Sequence, residues 1–290
     1  WGWYLVDEPD LNWISPDDVR QANGYLKSLR PRKPTALVLY QGSSGLDYAN
    51  IADITMIDRY PIPWEPLASF GHHVRMARLA VGKQQPLIAV IQAFDWSKYP
   101  ENLPGEKDLR PPTYEELRCM TYSALAERAT GLFYYQYKDT RWNITEHTAT
   151  WSALQQVVRE VNDRLPLFQA EHLWWAKDHE YAEPSLRFNA ALASSISSVL
   201  LRVRQGNAHV PPGDYLLTVN TTPHFHVYSV TLPFTSDVAR PTHAPPPAKI
   251  PVFGEDRFLT VQKGWISDAY EPYSIHIYGP LPAPASAVKP

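Results

Sequence analysis

The sequence predicts an α/β unit built on a parallel sheet, followed by an all-β unit. Three observations carry this expectation. Up to about residue 167, five short apolar runs alternate with helical periodicities, the order of parallel strands joined by helical crossovers. Beyond Phe168 the spacing changes to period two, interrupted by turns such as Pro211-Pro212-Gly213-Asp214, the pattern of an antiparallel β-sandwich. Polar residues follow each of the five apolar runs. The expected boundaries are 1–167 for the first unit, 168–280 for the second and 281–290 for a Pro- and Ala-rich tail.

The first run, Trp1 to Val6, reads as a buried strand. Trp3, Tyr4, Leu5 and Val6 favour a covered, pleated surface, and Pro9 lacks the N–H needed to continue a ladder. The run ends in Asp7 and Glu8. Side chains alternate across a strand, so only one of these carboxylates is expected to face a given site. Carboxylates lose solvation on burial, so a pair closing an apolar strand is costly unless it is hydrogen-bonded or used. The functional reading is a general acid in a cleft; the bland one is that Asp7 or Asp10 merely opens the next loop.

Ser15-Pro16-Asp17-Asp18 starts a helix: Ser caps, Pro fills the first turn and the acids meet the positive end of the dipole. This helix is expected to reach about Leu29. Ala36 to Tyr40 is a second strand, and the following Gln41-Gly42-Ser43-Ser44-Gly45 lacks the spacing and the lysine of a phosphate loop. The third strand, Asp53 to Asp58, ends in Asp58-Arg59-Tyr60-Pro61. A helix over about Pro66 to Val81 carries His72 and His73, which as neighbours diverge around the axis and form no two-ligand metal face.

Pro86 to Phe94 is continuously apolar, as in a strand covered on both faces. A long loop follows from Asp95-Trp96 to Pro112, and then Thr113 with Glu116 makes a capping box. Leu117, Met120, Ala124 and Leu125 recur at helical spacing, which assigns them to the inner face of a helix ending near Ala129. Cys119 on this helix is the single cysteine, which excludes an internal disulfide and reads as a buried thiol. Gly131 to Tyr137 is the fifth strand, and a last helix over about Trp151 to Arg164 is expected to stop at Pro166. Period-two strands are then expected at Leu186–Asn189, Ser197–Val203, Tyr215–Asn220, Val227–Leu232, Arg257–Val261 and Ser274–Tyr278.

A chain that is 44% hydrophobic and 12% aromatic can bury substantial cores and is no disordered segment. A net charge of −3 with scattered basic residues argues against nucleic acid or an anionic membrane as partner, and no apolar run reaches membrane-span length. The 10 Trp and 17 Tyr supply flat amphipathic rings suited to stacking on sugar faces, although most aromatics in any fold are core. His224 and His226 lie two apart on one strand face like a metal pair, but no third ligand accompanies them, and no cofactor is expected.

The carboxyl ends of the five strands carry Asp7-Glu8, Gln41, Asp58-Arg59-Tyr60, Gln92 with Asp95, and Gln136 with Lys138 and Asp139. In a parallel barrel such ends converge on one rim, where sites are built. Core packing alone does not place polar groups there repeatedly. Tyr60, Trp96, Tyr135 and Trp142 belong to the same expected rim as stacking residues, while Arg59, Lys138 and Arg141 either meet acidic sugars or pair with local carboxylates.

Gly2-Trp3-Tyr4-Leu5-Val6-Asp7-Glu8-Pro9, Asp58-x-Tyr60-Pro61, Pro112-Thr113-x-x-Glu116-Leu117-Arg118 and Gly131-Leu132-Phe133-Tyr134-Tyr135 resemble the (β/α)8-barrel glycoside hydrolases, in particular bacterial members with a Tyr-Leu-x-Asp-Glu-Pro strand. Asp268-x-Tyr270-x-Pro272-Tyr273-x-x-His276-x-Tyr278 resembles the closing strand of the β-sandwich appended to such barrels. The resemblance implies a partial TIM-type barrel in which the first strand corresponds to strand four and the rest to strands five to eight. Strands one to three then have no counterpart, the N-terminus reads as a cut, and a second chain or dimer is one way to cover the open barrel edge. It implies an oligo- or polysaccharide substrate, a secreted or periplasmic bacterial setting, and Glu8 as general acid/base.

The resembled enzymes often place a nucleophilic Glu after strand seven, where this chain has Ile91-Gln92-Ala93-Phe94. Three alternatives stay open. Asp58 or Asp95 supplies the second carboxylate; Asp7 beside Glu8 orients an acetamido group that attacks, as in hexosaminidase-like barrels; or the chain binds sugar through residues such as Tyr60, Gln92, Asp95, Trp96, Tyr135, Gln136 and Trp142 without catalysis.

Overall fold

A computed structural model describes residues 2–30, 32–173, 195–232, 249–262 and 265–281. The chain divides into two compact units, Trp1–Val158 and Arg159–Pro290.

In the first unit, β1 (Trp3–Tyr4), β2 (Thr35–Leu39), β3 (Ile54–Asp58), β4 (Leu87–Gln92) and β5 (Gly131–Tyr135) pair in sequence order as a curled parallel half-barrel sheet. Each strand is parallel to its neighbour, so every crossover is long enough to hold a helix or helical turns. These are α1 (Pro16–Ser28), the short α2 (Gly45–Tyr48), α3 (Ala68–Val81) and α4 (Tyr114–Ala126), with α5 (Thr148–Asp163) after β5. Ser15 caps α1 by accepting the Asp18 N–H, and Thr113 with Glu116 closes α4 in a reciprocal capping box. Cys119 lies fully buried on α4, and burial pushes its thiol up to about 12, which suits a packing residue.

The strand period of two sorts the sheet into faces. Leu37, Leu39, Ile57, Leu87, Ala89 and Ile91 are at most 1% exposed, on the face covered by α3 and α4. Val38, Met56, Ile88 and Val90 form a cluster on the concave face, joined by Ala36, Ile54 and Tyr60. Gly42 shows why glycine precedes α2: a Cβ there would stand 2.0 Å from the His73 carbonyl of α3, and the Gly42 N–H donates to His73 Nδ1 at 3.0 Å.

The first strand departs from the expected burial. It is an edge strand of two residues, and Trp3 and Tyr4 are 51% and 55% exposed, because β1 pairs with β2 on one side only. Helix α5 stops at Asp163 as expected, and just beyond it stands Pro166. It occupies the first turn of a new four-residue helix, α6 (Leu165–Phe168), where its missing N–H needs no partner.

The second unit holds β6 (Glu171–His172), β7 (Ile196–Val203), β8 (Gly213–Asn220), β9 (His226–Thr231), β10 (Lys249–Val252), β11 (Arg257–Thr260), β12 (Trp265–Tyr270) and β13 (Ile275–Leu281). They make two separate antiparallel sheets, ordered β11-β10-β13-β8-β7-β6 and β12-β9. One core takes residues from both: Leu200, Leu216, Ile250, Val252 and Tyr278 from the larger sheet, Tyr228, Val230, Ile266 and Tyr270 from the smaller. Polar bonds tie the sheets as well. Arg257 grips Asp268 of β12 with two bonds of 2.8 Å, Glu255 meets His276 Nδ1 at 2.6 Å, and the Tyr278 hydroxyl donates to Asp268 at 3.1 Å. The strand expected at Leu186–Asn189 lies outside the described residues. Strands β10 and β12 escaped the sequence reading, β10 because Pro251 interrupts it; the Pro251 position pairs with Phe258 of β11.

Candidate active site

The concave face of the half-barrel opens into a hollow of ≈ 990 Å³. Its floor is the apolar cluster of Val38, Met56, Ile88 and Val90, with Phe133 beside it. Carboxylates and rings gather along the carboxyl ends of the strands, where parallel sheets place their sites: Asp7, Glu8, Asp58, Tyr60, Trp96, Tyr135 and Gln136 all line the hollow.

Asp7 and Glu8 both face this hollow, contrary to the alternation expected of a strand. The strand ends at Tyr4, and Glu8 takes a left-handed backbone (φ 40°) that swings the chain into a turn. The Glu8 carbonyl is held by the N–H groups of Leu11 at 3.1 Å and Asn12 at 2.9 Å. Asp7 is exposed and accepts the Tyr4 hydroxyl. Asp10 serves the backbone instead: its two oxygens accept the N–H groups of Tyr40 (3.1 Å) and Gln41 (2.9 Å).

Glu8 and Asp58 line the same hollow and act on one another's ionisation. Asp58, at the end of β3, is 6% exposed; its Oδ2 accepts the Tyr60 hydroxyl at 3.1 Å, and its Oδ1 meets no protein N–H or O–H. Two bare carboxylates in one hollow repel, which favours a protonated form of the pair. Burial, and then the neighbouring negative charges, raise both groups above the ordinary carboxylate range; the Tyr60 hydroxyl pulls Asp58 back, and Arg59 favours the ionised form of Glu8. The pair can therefore hold and release a proton near neutral pH.

Aromatic rings form the wall. Tyr60 stacks on Tyr135 (centroids 5.6 Å, interplanar 19°), and Phe94 and Trp96 meet Tyr60 edge-on at 5.2 and 6.3 Å. The Tyr60 carbonyl accepts the indole N–H groups of Trp64 at 2.8 Å and Trp96 at 3.0 Å, which fixes the loop carrying these rings. Tyr99 closes the far side, donating to Asp139 at 2.7 Å and accepting from Gln136 at 2.7 Å.

Three of the expected site residues lie elsewhere than the lining. Gln92 is fully buried; its amide accepts the Ile62 N–H at 2.9 Å and donates to the Ile62 and Phe94 carbonyls, pinning the loop after β3. Asp95 caps a helical turn by accepting the Ser97 N–H at 2.7 Å. Trp142 is 1% exposed, stacks on His147 and donates to the Gln136 carbonyl at 3.1 Å. Of the basic residues, Arg59 is bidentate to Glu65 with its guanidinium over Tyr40 and Trp64, and Arg141 pairs with Glu101. The lining also takes Tyr4, Phe94, Tyr99 and Leu103, which sequence reasoning missed; the one signal was the length of the loop that supplies Tyr99 and Leu103.

Among the described residues no group of His, Cys, Asp and Glu is arranged to hold a metal, and His226 instead meets Thr222 Oγ1 at 2.9 Å. No helix among them is long and apolar enough to cross a membrane.

No protein-family model matches the chain, and no curated protein sequence does. Solved structures do resemble it. A catalytic mutant of Gan42B, a GH42 β-galactosidase from G. stearothermophilus, superposes with a TM-score of 0.51 at 8% identity, over 91% of this chain and 68% of that one. A protein described as a glycoside hydrolase gives 0.51 at 11% identity, over 96% and 63%. AmyP in complex with maltose gives 0.48 at 7% identity, over 96% and 63%. The chain thus spans less than two thirds of the length of AmyP and of the second glycoside hydrolase. At such identities the likeness concerns the fold, which is glycoside hydrolase-like.

Proposed function

We propose that this chain is a carbohydrate-active glycoside hydrolase-like protein that cleaves O-glycosidic bonds with Glu8 as general acid/base. In this reading β1 to β5 are strands four to eight of a (β/α)8 barrel, the second unit is a β-sandwich, and an oligo- or polysaccharide is the substrate. One observation carries the proposal: Glu8 and Asp58, from two different strand ends, face one hollow walled by stacked Tyr60 and Tyr135.

Asp58 acts as the helper of Glu8 in this reading: buried at the end of β3, it keeps Glu8 supplied with a proton, and Tyr60 orients it. Asp7, on the same rim, is the second carboxylate within reach of the substrate. Tyr60, Tyr135 and Trp96 stack on the sugar, and Gln136 lines the hollow beside them.

Release of reducing sugar from a panel of oligosaccharides tests the reading. Glu8→Gln is expected to lower the rate by about 10²–10⁴-fold with the circular dichroism spectrum unchanged. An unaltered rate in Glu8→Gln sinks the assignment.

A second reading, a non-catalytic sugar-binding module, is favoured by Gln92. It stands where the resembled enzymes carry a nucleophilic Glu, and its amide is committed to the backbone of Ile62 and Phe94. Calorimetric binding of a saccharide without turnover would establish that reading. The exposed edge strand with Trp3 and Tyr4 is the place for a second chain or a dimer, and light scattering on the purified chain reports it.

A further inference from the structure

Resting on the glycosidase reading, we propose that the sugar this hollow takes is cationic: an amino sugar with a free ammonium group, held by Asp7 beside the Glu8–Asp58 pair. Among the described residues the hollow is lined by three carboxyl groups, Asp7, Glu8 and Asp58, and by no Lys, Arg or His. Of the basic residues at the strand ends, Arg59 is committed to Glu65 and to the faces of Tyr40 and Trp64, Arg141 to Glu101 and the face of Tyr99, and Lys138 lies outside the lining. An anionic sugar would meet negative charge with no counter-ion, whereas an ammonium supplies the missing positive charge.

Two further features point to a donor carried by the occupant. Asp58 Oδ1 is buried in the hollow with no hydrogen-bond partner among the described residues, so a donor on the occupant would satisfy it. Asp7 is exposed at the rim and is held on one oxygen by the Tyr4 hydroxyl, which presents the carboxylate to the hollow. Stacked Tyr60 and Tyr135 with Trp96 add ring faces, which attract a cation as well as the apolar face of a sugar.

The test is calorimetry of the full chain with four matched tetrasaccharide sets, in gluco and galacto configuration: free-amine, N-acetylated, neutral and uronic. The free-amine set is expected to bind about tenfold or more tightly than its N-acetylated and neutral counterparts, with an affinity that falls as salt rises, and the uronic set weakest. Asp7→Asn is expected to lower the free-amine affinity by a similar factor, with unchanged near-UV circular dichroism showing that the fold is kept. Equal or tighter binding of the N-acetylated or neutral set overturns this proposal and leaves the glycosidase reading standing; an N-acetylated preference would return the site to an acetamido-assisted reaction. Absence of binding to all four sets overturns both.

Discussion

The carboxyl groups of Glu8 and Asp58 face one hollow, one presented by a left-handed turn after the edge strand β1 and the other by the end of β3. Facing one hollow, the pair acts as a proton store, because a second negative charge there is resisted by both burial and repulsion. Predictions about pH, Tyr60 and Gln92 follow from that geometry.

Stability should fall on the alkaline side. Burial and the charges of Asp7 and Asp10 raise Glu8 from 4.5 to about 6, and burial and the charge of Glu8 raise Asp58 from 3.8 to about 8, so the folded chain holds protons that the unfolded chain has released. A raised carboxyl pKa contributes stability that is full below the unfolded value and is lost as pH rises through the folded one. Asp58→Asn removes the penalty and keeps a donor toward Glu8. Urea melts are expected to show a gain of about 1–3 kcal/mol at about pH 9 and little change at about pH 4. The same difference at both pH values would show that the pair stores no proton.

Tyr60→Phe keeps the ring on Tyr135 and removes the hydroxyl that donates to Asp58. That bond favours the ionised form, so its loss raises the Asp58 pKa further. The alkaline limb of the activity–pH profile is expected to move upward, with KM changed less than about threefold because the stacking face is retained. A profile that stays in place would separate Tyr60 from the proton store.

Gln92→Glu restores the residue type expected after the fourth strand, yet it should not create a nucleophile. The new carboxylate would face the Ile62 and Phe94 carbonyls, to which the Gln92 amide now donates. The variant is expected to lose about 3 kcal/mol in chemical denaturation, from buried acceptors set against one another, and to gain no activity. A rise in turnover would mean that Gln92 reaches the substrate.

In the second unit, the Arg257–Asp268 pair links β11 to β12, with Glu255 and His276 beside it. Against the cost of burial, hydrogen bonds from Arg257 and the charge of His276 hold Asp268 below the usual range, and the same two side chains do so for Glu255. A depressed carboxyl pKa contributes stability above the unfolded value and loses it as pH falls through the folded one, so this link should weaken below about pH 4. Asp268→Asn is expected to cost about 3 kcal/mol at neutral pH and to flatten the acid limb of the melting curve. An acid limb unchanged from the native chain would assign acid sensitivity to other groups.

Much of the local structure was legible before any fold was built. Ser15-Pro16 and Thr113-x-x-Glu116 announced two helix starts because capping is satisfied within a few residues of sequence. The continuous apolar run to Gln92 announced a strand covered on both faces, and β4 is buried from Leu87 to Gln92. The second unit was harder to read. Period-two patterning located β7, β8 and β9, but Pro251 concealed β10.

The candidate site divides in the same way. Polar residues at strand ends were visible as a recurrence, and Asp7, Glu8, Asp58, Tyr60, Trp96, Tyr135 and Gln136 do line one hollow. Gln92, Asp95 and Trp142 belonged to the same recurrence and went to loop pinning, capping and packing. A strand-end amide looks alike in sequence whether its partner is substrate or backbone, since that partner is fixed by a loop elsewhere in the chain.

What the sequence by itself determined is the succession of elements and the stock of acids and rings delivered to the strand ends, because hydrophobic period, caps and breakers act over a few residues. Only the tertiary structure decided which of those groups meet. The left-handed turn at Glu8, the curl of the sheet and the loop clamped at the Tyr60 carbonyl bring Glu8 and Asp58 into one hollow and turn Gln92 away. Such pairings depend on distances between segments remote in the chain, and no local pattern encodes them.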